Sequence, residues 1–435
     1  MSIYLFVFSS FLLLFFLYIV FRKSVKSFVG DDVFIYCLVL MMASILNYPT
    51  YIQYGARVFA VFMSWFVIIY KTRLKFIIDW SIGSKLTIPF LIYSLLSTSY
   101  SYNFFVSFFK VTEVLTDFIL LNLIWTKEGR EQFIKKIFFI FICFFLFLLL
   151  ITALGFELVP SVFSNSGYSA SKSFLGVRIG NGIIGANTAS ALSVICFSWL
   201  FLTQKKIGLF GLAIIIISLF CMLFAQSRTT IAIIPIVLLL RLFKKHTNNT
   251  FGYFIFICCI ICVFINNLDN VLLYLKRGQT VEQLTGFSGR VEMTRIALDF
   301  FYERLIGYGY GVGSDVVSQF FSGRFIGIQH LHNALLETLV DTGIIGTLLL
   351  FVQVIYCYMV ILINTLKSGL KNNMIDVVLL IFFTLRSITS LGVGNWHSVE
   401  ILLWYYMLIS LKYGNGIQNV FNDDLVIKRN KKSSV

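Results

Sequence analysis

The chain has 435 residues, of which 58% are hydrophobic and only 13% are charged. A soluble globular domain carries roughly a quarter of charged residues, so the composition excludes an ordinary soluble enzyme and favours a protein solvated by lipid. The net charge of +15 would suit nucleic acid, but most Lys and Arg residues stand in short clusters beside apolar segments, where they act as topology signals. We therefore expect membrane lipids as partners and no nucleic acid.

Apolar runs of about 20 residues, the length that crosses a bilayer, recur along the whole chain. The candidate spans lie near 2–21, 33–50, 56–70, 86–100, 111–126, 137–154, 182–202, 207–226, 229–243, 251–268, 338–363, 375–391 and 399–413. The first run has no basic residue before it and is interpreted as a membrane helix rather than a signal peptide. The sequence thus predicts an all-α polytopic integral membrane protein with about 11–13 transmembrane helices.

The basic clusters decide the orientation, because they fall in alternate connections between the spans. They are Arg22–Lys26, Lys71–Lys75, Lys127–Lys136, Lys205–Lys206, Arg241–Lys245 and Lys367–Lys371, with Lys428–Lys432 in the tail. The positive-inside rule makes that side cytoplasmic. The connections at 47–55, 155–181, 269–337 and 392–398 are then extracytoplasmic.

Four parts follow from this division: N-terminal transmembrane helices at 1–268, a large loop at 269–337, C-terminal transmembrane helices at 338–413, and a basic cytoplasmic tail at 414–435. The loop should be helical around Ser288–Arg304, where Ser288 and Gly289 precede good helix formers. Glycines at 307, 309, 311 and 313 then end the helix. A second helix is expected to begin near His332 and to enter the membrane. Loops of this length are usually functional.

Several common chemical motifs are missing from the sequence. It contains no G-x-x-x-x-G-K-[ST] for a nucleotide, no D-x-D and no H-E-x-x-H. Cys259 and Cys262 stand in a continuous apolar segment without a second pair, so we assign no metal site and no cofactor. Glu113 and Asp117, four residues apart in one span, are interpreted as packing residues rather than a proton relay.

Arginine residues on the extracytoplasmic side are the first signal of function. Arg178, Arg228 and Arg290 stand against the positive-inside bias, and Arg228 lies between two apolar runs with little loop around it. A cation there costs several kcal/mol unless it is paired or faces water. Arg228 either extends to the lipid headgroups or faces an anionic ligand such as a diphosphate, which the planar guanidinium binds through two parallel hydrogen bonds.

Histidine residues are the second signal, since two of the four stand at 330 and 332, where the polar loop enters a membrane helix. A single histidine is more often an ordinary surface residue. Two of them beside Asn333, at an expected helix start, favour a titrating catalytic group. Zinc is not expected, because no cysteine or acidic cluster completes a ligand set.

The order of these elements resembles the O-antigen ligase/polymerase superfamily. The motifs that carry the resemblance are Phe174–Arg178 with Gly182 and Asn187, Gln226–Arg228, Ser288–Arg290, Leu305–Gly311, His332–Glu337 and Gly343–Gly346. Together they cover roughly 174–346. Each motif alone is loose, and their order and spacing in a polytopic chain make the match specific.

The resemblance implies a glycosyltransferase at the periplasmic face of the bacterial inner membrane, with an undecaprenyl-diphosphate-linked oligosaccharide as donor and neither nucleotide nor metal. It implies that Arg228, Arg290 and Arg178 bind the diphosphate and that His332 is the general base. Its supporting residues here are Asn333, His330, Gly309 and Gly311.

Three activities remain open at this stage. We favour a polymerase that joins lipid-linked repeat units, because the high content of Phe, Ile, Lys and Asn fits the more divergent polymerases. A ligase that transfers the chain to lipid A-core is the first alternative. A flippase or exporter of the same lipid-linked sugar is the second, and it would not need His332. A protein that regulates chain length is a further candidate partner.

Overall fold

A computed structural model describes residues 33–45, 50–73, 81–153, 186–204, 207–224, 227–244, 290–321, 331, 333–389 and 398–411. Every secondary-structure element within these ranges is helical, and none is a strand. The predicted all-α fold class is confirmed for this part of the chain. The predicted spans 2–21 and 251–268 and the tail 414–435 lie outside the described residues.

Twelve α-helices lie in the described ranges, and a 3-10 helix at Thr98–Tyr100 follows the third. The first six are α1 Val33–Ser44, α2 Thr50–Thr72, α3 Ile82–Ser97, α4 Phe104–Ala153, α5 Ala186–Thr203 and α6 Leu209–Phe224. The remaining six are α7 Arg228–Lys244, α8 Arg290–Glu303, α9 Gly313–Phe321, α10 Ala334–Ser368, α11 Leu370–Thr389 and α12 Val399–Ser410. Helices α8 and α10 agree with the two helices expected in and after the loop, whereas α9 was not predicted.

Two of these helices are long and apolar enough to cross a bilayer, namely Ile52–Thr72 within α2 and all of α10. The most apolar window of α10 is only 33% buried, unlike the core helix of a soluble protein. Five shorter apolar helices lie at Val33–Ser44, Thr188–Thr203, Leu209–Leu223, Thr229–Arg241 and Val399–Ser410. The figure of 11–13 spans stays a prediction.

The predicted spans 111–126 and 137–154 lie in one helical segment, α4. The adjacent residues Tyr405 and Tyr406 on α12 contact Phe118 and Phe138 respectively, at ring-centroid distances of 5.6 and 5.5 Å. Those two phenylalanines would be about 30 Å apart along a straight helix axis, which two adjacent side chains do not bridge. The segment therefore bends sharply between them, and both halves pack against the same helix.

Helix α12 is the centre of the core, because all of its residues are buried. A helix that is apolar on every side is typical of such a position. Its Trp404 ring packs edge-on against Phe383 of α11 at 5.7 Å, and the indole Nε1 donates to Gln353 Oε1 of α10 at 3.2 Å.

Two buried ion pairs connect helices in this core. Arg57 of α2 binds both carboxylate oxygens of Glu113 of α4, with Nε at 2.6 Å from Oε1. Arg386 of α11 donates through Nη2 to Glu400 Oε1 of α12 at 2.7 Å. The contact of Glu113 with Arg57 agrees with the packing role expected for that residue.

Candidate functional site

Helices α8 and α10 run in the same direction and start at the same end of the molecule. The carbonyl of Leu305, just after α8, accepts a hydrogen bond from Ile344 N at 3.1 Å. One cluster of buried side chains joins α8 along its length to α9 and to residues 331–340, and its members are Met293, Ala297, Phe301, Val317, Leu331, Leu336 and Val340. This packing brings the first residue of α8, Arg290, to the end of the molecule at which α10 begins.

The start of α10 is held by the side chains of Asn333 and Glu337. Asn333 is the N-cap, and its side-chain oxygen accepts from Leu336 N at 3.1 Å, as Asn does at this position. Glu337 is buried and accepts from Leu331 N at 2.8 Å. The two residues that flank His332 in the sequence are therefore both fixed by hydrogen bonds.

The predicted site residues are described unevenly. Arg178, His330 and His332 lie outside the described residues. Arg228 and Arg290 are the first residues of α7 and α8, but only their backbone is described. The roles expected for Arg178, Arg228, Arg290 and His332 in binding the diphosphate and in catalysis therefore stay predictions.

The segment 307–313, called the glycine segment below, requires glycine at the positions named from the sequence. Gly307, Gly309 and Gly311 have φ angles of 82°, 103° and 70°, a region that residues with a Cβ rarely enter. A Cβ at Gly309 would lie 2.2 Å from Ser101 Oγ. Backbone conformation and close approach therefore both require glycine at 309 and 311, and the supporting role of these residues in a site stays a prediction.

A kink in α10 provides the hydrogen bonds that hold the glycine segment. Gly343 has φ +66° and interrupts the helix, which frees carbonyls in the preceding turn. Tyr308 N then donates to Val340 O at 2.9 Å, and Gly309 N donates to Asp341 O at 2.8 Å. The kink and the glycine segment thus depend on each other.

Two charged residues that the sequence analysis missed complete this contact. Buried Asp341 accepts from Gly311 N at 2.8 Å and from Ser314 N, in the first turn of α9, at 3.2 Å. Buried Lys110 of α4 donates to Gly311 O at 2.5 Å and to Asp315 Oδ2 at 3.1 Å. A charged residue inside an apolar run is the signal that could have identified Asp341, whereas Lys110 lies just before the predicted span 111–126.

The turn between α3 and α4 contacts the other side of the glycine segment. Tyr102 N donates to Tyr308 O at 2.9 Å, and Ser107 Oγ donates to Tyr310 O at 2.9 Å. Burial, followed by the charge of Glu303, raises the pKa of Tyr308, whose hydroxyl donates to Phe300 O at 3.2 Å. The glycine segment therefore connects the bundle of α3 and α4 to α8, α9 and α10.

The starts of α7, α8 and α10 are each able to bind an anion. A helix N-terminus carries free N–H groups and the positive end of the helix dipole, and both favour phosphate groups. Helices α7 and α8 each begin with an arginine, and α10 begins one residue after Asn333. Among the described residues, no group of three His, Cys, Asp or Glu side chains is arranged to hold a metal ion.

Residues 191–351 match the O-antigen ligase family, and the resemblance to the O-antigen ligase/polymerase superfamily is confirmed over that segment. The match contains Arg228, Arg290, His330, His332, Asn333, Gly309 and Gly311, whereas Arg178 lies before it. A search of curated proteins gives no significant match.

Proposed function

We propose that this chain is a multi-pass glycosyltransferase of the bacterial inner membrane that polymerises O-antigen or a related surface polysaccharide. It takes oligosaccharides on undecaprenyl diphosphate and joins them at the periplasmic face. The observation that carries this proposal is the match to the O-antigen ligase family over 191–351, which contains Arg228, Arg290 and His332 in the order noted from the sequence.

The proposed reaction is a single displacement with inversion at the anomeric carbon. The acceptor hydroxyl oxygen forms a bond to that carbon, and the bond from carbon to the diphosphate oxygen breaks. The proton of the hydroxyl passes to the imidazole of His332, and the lipid diphosphate leaves with the bonding electron pair. A general base of this kind contributes about 10²–10⁴-fold. The lipid diphosphate is the activated group, so the reaction uses neither nucleotide nor metal.

The diphosphate is proposed to bind Arg228 and Arg290, with Arg178 as a third ligand. The positions of Arg228 and Arg290 as first residues of α7 and α8 support this assignment. At such a position the backbone N–H groups of the first turn and the guanidinium can bind the same phosphate. Neutralising the leaving group lowers the barrier, since charge builds on the diphosphate oxygen in the transition state.

The assignment of His332 as base is supported by its immediate neighbours. Leu331 N is held by Glu337, and Asn333 caps α10, so the chain enters the helix along a defined path. Because α8 and α10 start at the same end, a base at 332 and a diphosphate ligand at Arg290 can serve one reacting carbon. Placing both groups on that carbon is the main requirement of the displacement.

A ligase is the second candidate, because the matched family is described as O-antigen ligase. It would transfer the finished chain to lipid A-core instead of to a second lipid-linked unit. The donor, the leaving group and the base would be the same, so the residues named above serve either activity. The acceptor alone separates the two.

The lipopolysaccharide of a deletion strain, separated on a gel, tests the proposal. A polymerase predicts a single repeat unit on the core, and a ligase predicts that no repeat unit is attached. Complementation with His332→Ala should leave that pattern unchanged, whereas His330→Ala, two residues away, should have a much smaller effect and still yield polymer. Long polymer from His332→Ala at normal protein abundance would refute the general base and favour an exporter.

A further inference from the structure

The surface of α8 changes from charged to apolar along its length. Arg295 and Asp299 are exposed before its last turn, whereas Tyr302 is 71% exposed and Ile306, just after the helix, is 48% exposed. Glu303 is also exposed. Because consecutive residues on a helix point about 100° apart, it does not share the face of Tyr302. The end of α8 thus exposes large apolar side chains within the loop 269–337, which the sequence predicts to be polar.

Hydrogen bonds join the end of α8 to the turn between α3 and α4. Tyr100 hydroxyl donates to Ile306 O at 2.9 Å, and Tyr102 N donates to Tyr308 O at 2.9 Å. Exposed aromatic residues of that turn therefore lie beside the exposed residues after α8. We call this surface the apolar rim, and its members are Tyr102, Phe104, Phe105, Tyr302, Leu305 and Ile306.

The apolar rim continues into the exposed face of α10. Before the kink at Gly343, Leu335 is the only exposed residue of that helix. After it, exposed hydrophobic residues recur every three or four positions and form one face, which includes Ile344, Ile345, Leu348, Val352, Ile355, Met359 and Leu362. The bond from Ile344 N to Leu305 O, at 3.1 Å, places the rim at the level where this face begins.

The chemistry of the rim is typical of the boundary between acyl chains and headgroups. Tyrosine is enriched at that depth because its ring is apolar and its hydroxyl polar. Arg304 lies beside the rim with its guanidinium 5.7 Å from the Tyr100 ring centre and 5.4 Å from that of Tyr308. Its Nη2 donates to Tyr100 O at 2.6 Å. Its stem covers apolar surface while its charge stays with polar groups, as interfacial arginines do.

We propose that the apolar rim is a membrane anchor that seats the end of α8 and the α3–α4 turn in the outer boundary layer of the bilayer, against phospholipid. This inference rests on the proposed membrane location of the chain. It means that part of the loop at 269–337 lies on the lipid surface instead of extending freely into the periplasm.

The anchor sets the height of the proposed reaction above the membrane. A helix rises 1.5 Å per residue, so the start of α10 at Asn333 lies at most about 17 Å beyond Ile344. Arg290 is at the same end, because α8 and α10 run in the same direction. The diphosphate of a lipid in the same leaflet lies just beyond the acyl chains. It therefore lies on the side of the rim where α8 and α10 begin.

Photo-crosslinking to lipid tests the anchor. The photoreactive residue p-benzoylphenylalanine is introduced at Ile306 in the full chain, which is purified and reconstituted in phospholipid nanodiscs. Leu348, 57% exposed on α10, is the reference for lipid contact, and exposed Asp299 on α8 is the matched control. After illumination, mass spectrometry should find phospholipid adducts at Ile306 and Leu348. No adduct should form at Asp299.

Each other outcome has a distinct meaning. If an adduct forms at Leu348 but not at Ile306, the anchor is refuted and the membrane location stands. Loss at both positions overturns the membrane location itself. A crosslinked dimer at Ile306, or equal adducts at Ile306 and Asp299, also overturns the anchor. If the Ile306 variant fails to fold, the same reagent at Phe105, which is 81% exposed, carries the same prediction.

Discussion

Substitution of Gly309 by alanine should destabilise the protein through both backbone strain and a steric clash. Its φ angle of +103° lies in the region that costs a residue with a Cβ about 1–2 kcal/mol. The new Cβ would also lie 2.2 Å from Ser101 Oγ and 2.8 Å from Ser101 Cα. Forcing an extra methyl group into such a contact costs a further 1–3 kcal/mol or so. Together these effects predict a loss of about 2–5 kcal/mol.

Two control glycines separate the causes. Gly369 has a φ angle of +83° but nothing within 4 Å of an added Cβ, so its alanine variant should lose only the backbone cost, about 1–2 kcal/mol. Gly208 has open space and no positive φ, so its variant should match the wild type. The measurement is the fraction of protein that remains monodisperse on size-exclusion chromatography after heating in one detergent.

A second substitution tests the contact directly. Ser101→Gly removes the two atoms nearest to the added Cβ, at 2.2 and 2.3 Å, so it should restore part of the stability that Gly309→Ala loses. Such coupling is expected only for residues in contact. A Gly309→Ala variant no less stable than Gly369→Ala, or no recovery in the double variant, would refute the described packing of the glycine segment.

Three further predictions concern charged side chains. Arg57→Met should destabilise the protein by about 3–5 kcal/mol, because it leaves Glu113 buried without its cation. Adding Glu113→Leu should recover most of the loss, and equal melting temperatures of the single and double variants would contradict this. Arg290→Lys should shorten the polysaccharide ladder almost as much as Arg290→Ala, because lysine keeps the charge but lacks the planar pair of donors; a normal ladder would show that a point charge suffices. Lys110→Met should cost about 1–3 kcal/mol, since the carbonyl of Gly311 loses a charged donor, and unchanged thermal stability would contradict the geometry.

The helices could be predicted from the sequence where local signals determine them. Apolar runs gave α10, α11 and α12 to within several residues, because a run of that length has few other stable conformations. The starts of α8 and α10 were expected after Ser288–Gly289 and near His332, and α10 begins at Ala334 after the cap Asn333, since caps act within one turn. The number of spans remains untested, because much of the chain outside the described ranges would contribute to it.

The glycine segment and its contacts could not be predicted in the same way. Four alternating glycines predict the end of a helix. The residues that make these glycines necessary are Ser101, Lys110 and Asp341, which lie far away in the sequence. In the sequence-based division, Lys110 falls in the connection between the spans 86–100 and 111–126, and Asp341 falls in the span 338–363. The hydrogen bonds from the segment to the carbonyls of Val340 and Asp341 depend on the kink at Gly343, a tertiary feature with no periodic signal.

The central claim is that the chain transfers sugar from one lipid diphosphate to another at a site with His332 as base. The direct measurement uses the purified chain in phospholipid nanodiscs with an undecaprenyl-diphosphate oligosaccharide of one repeat unit, and follows the products by mass spectrometry. The wild-type protein should release free undecaprenyl diphosphate and form lipid carrying two or more repeats, and His332→Ala should form neither product. Unchanged substrate with wild-type protein, or equal product from His332→Ala, would contradict it.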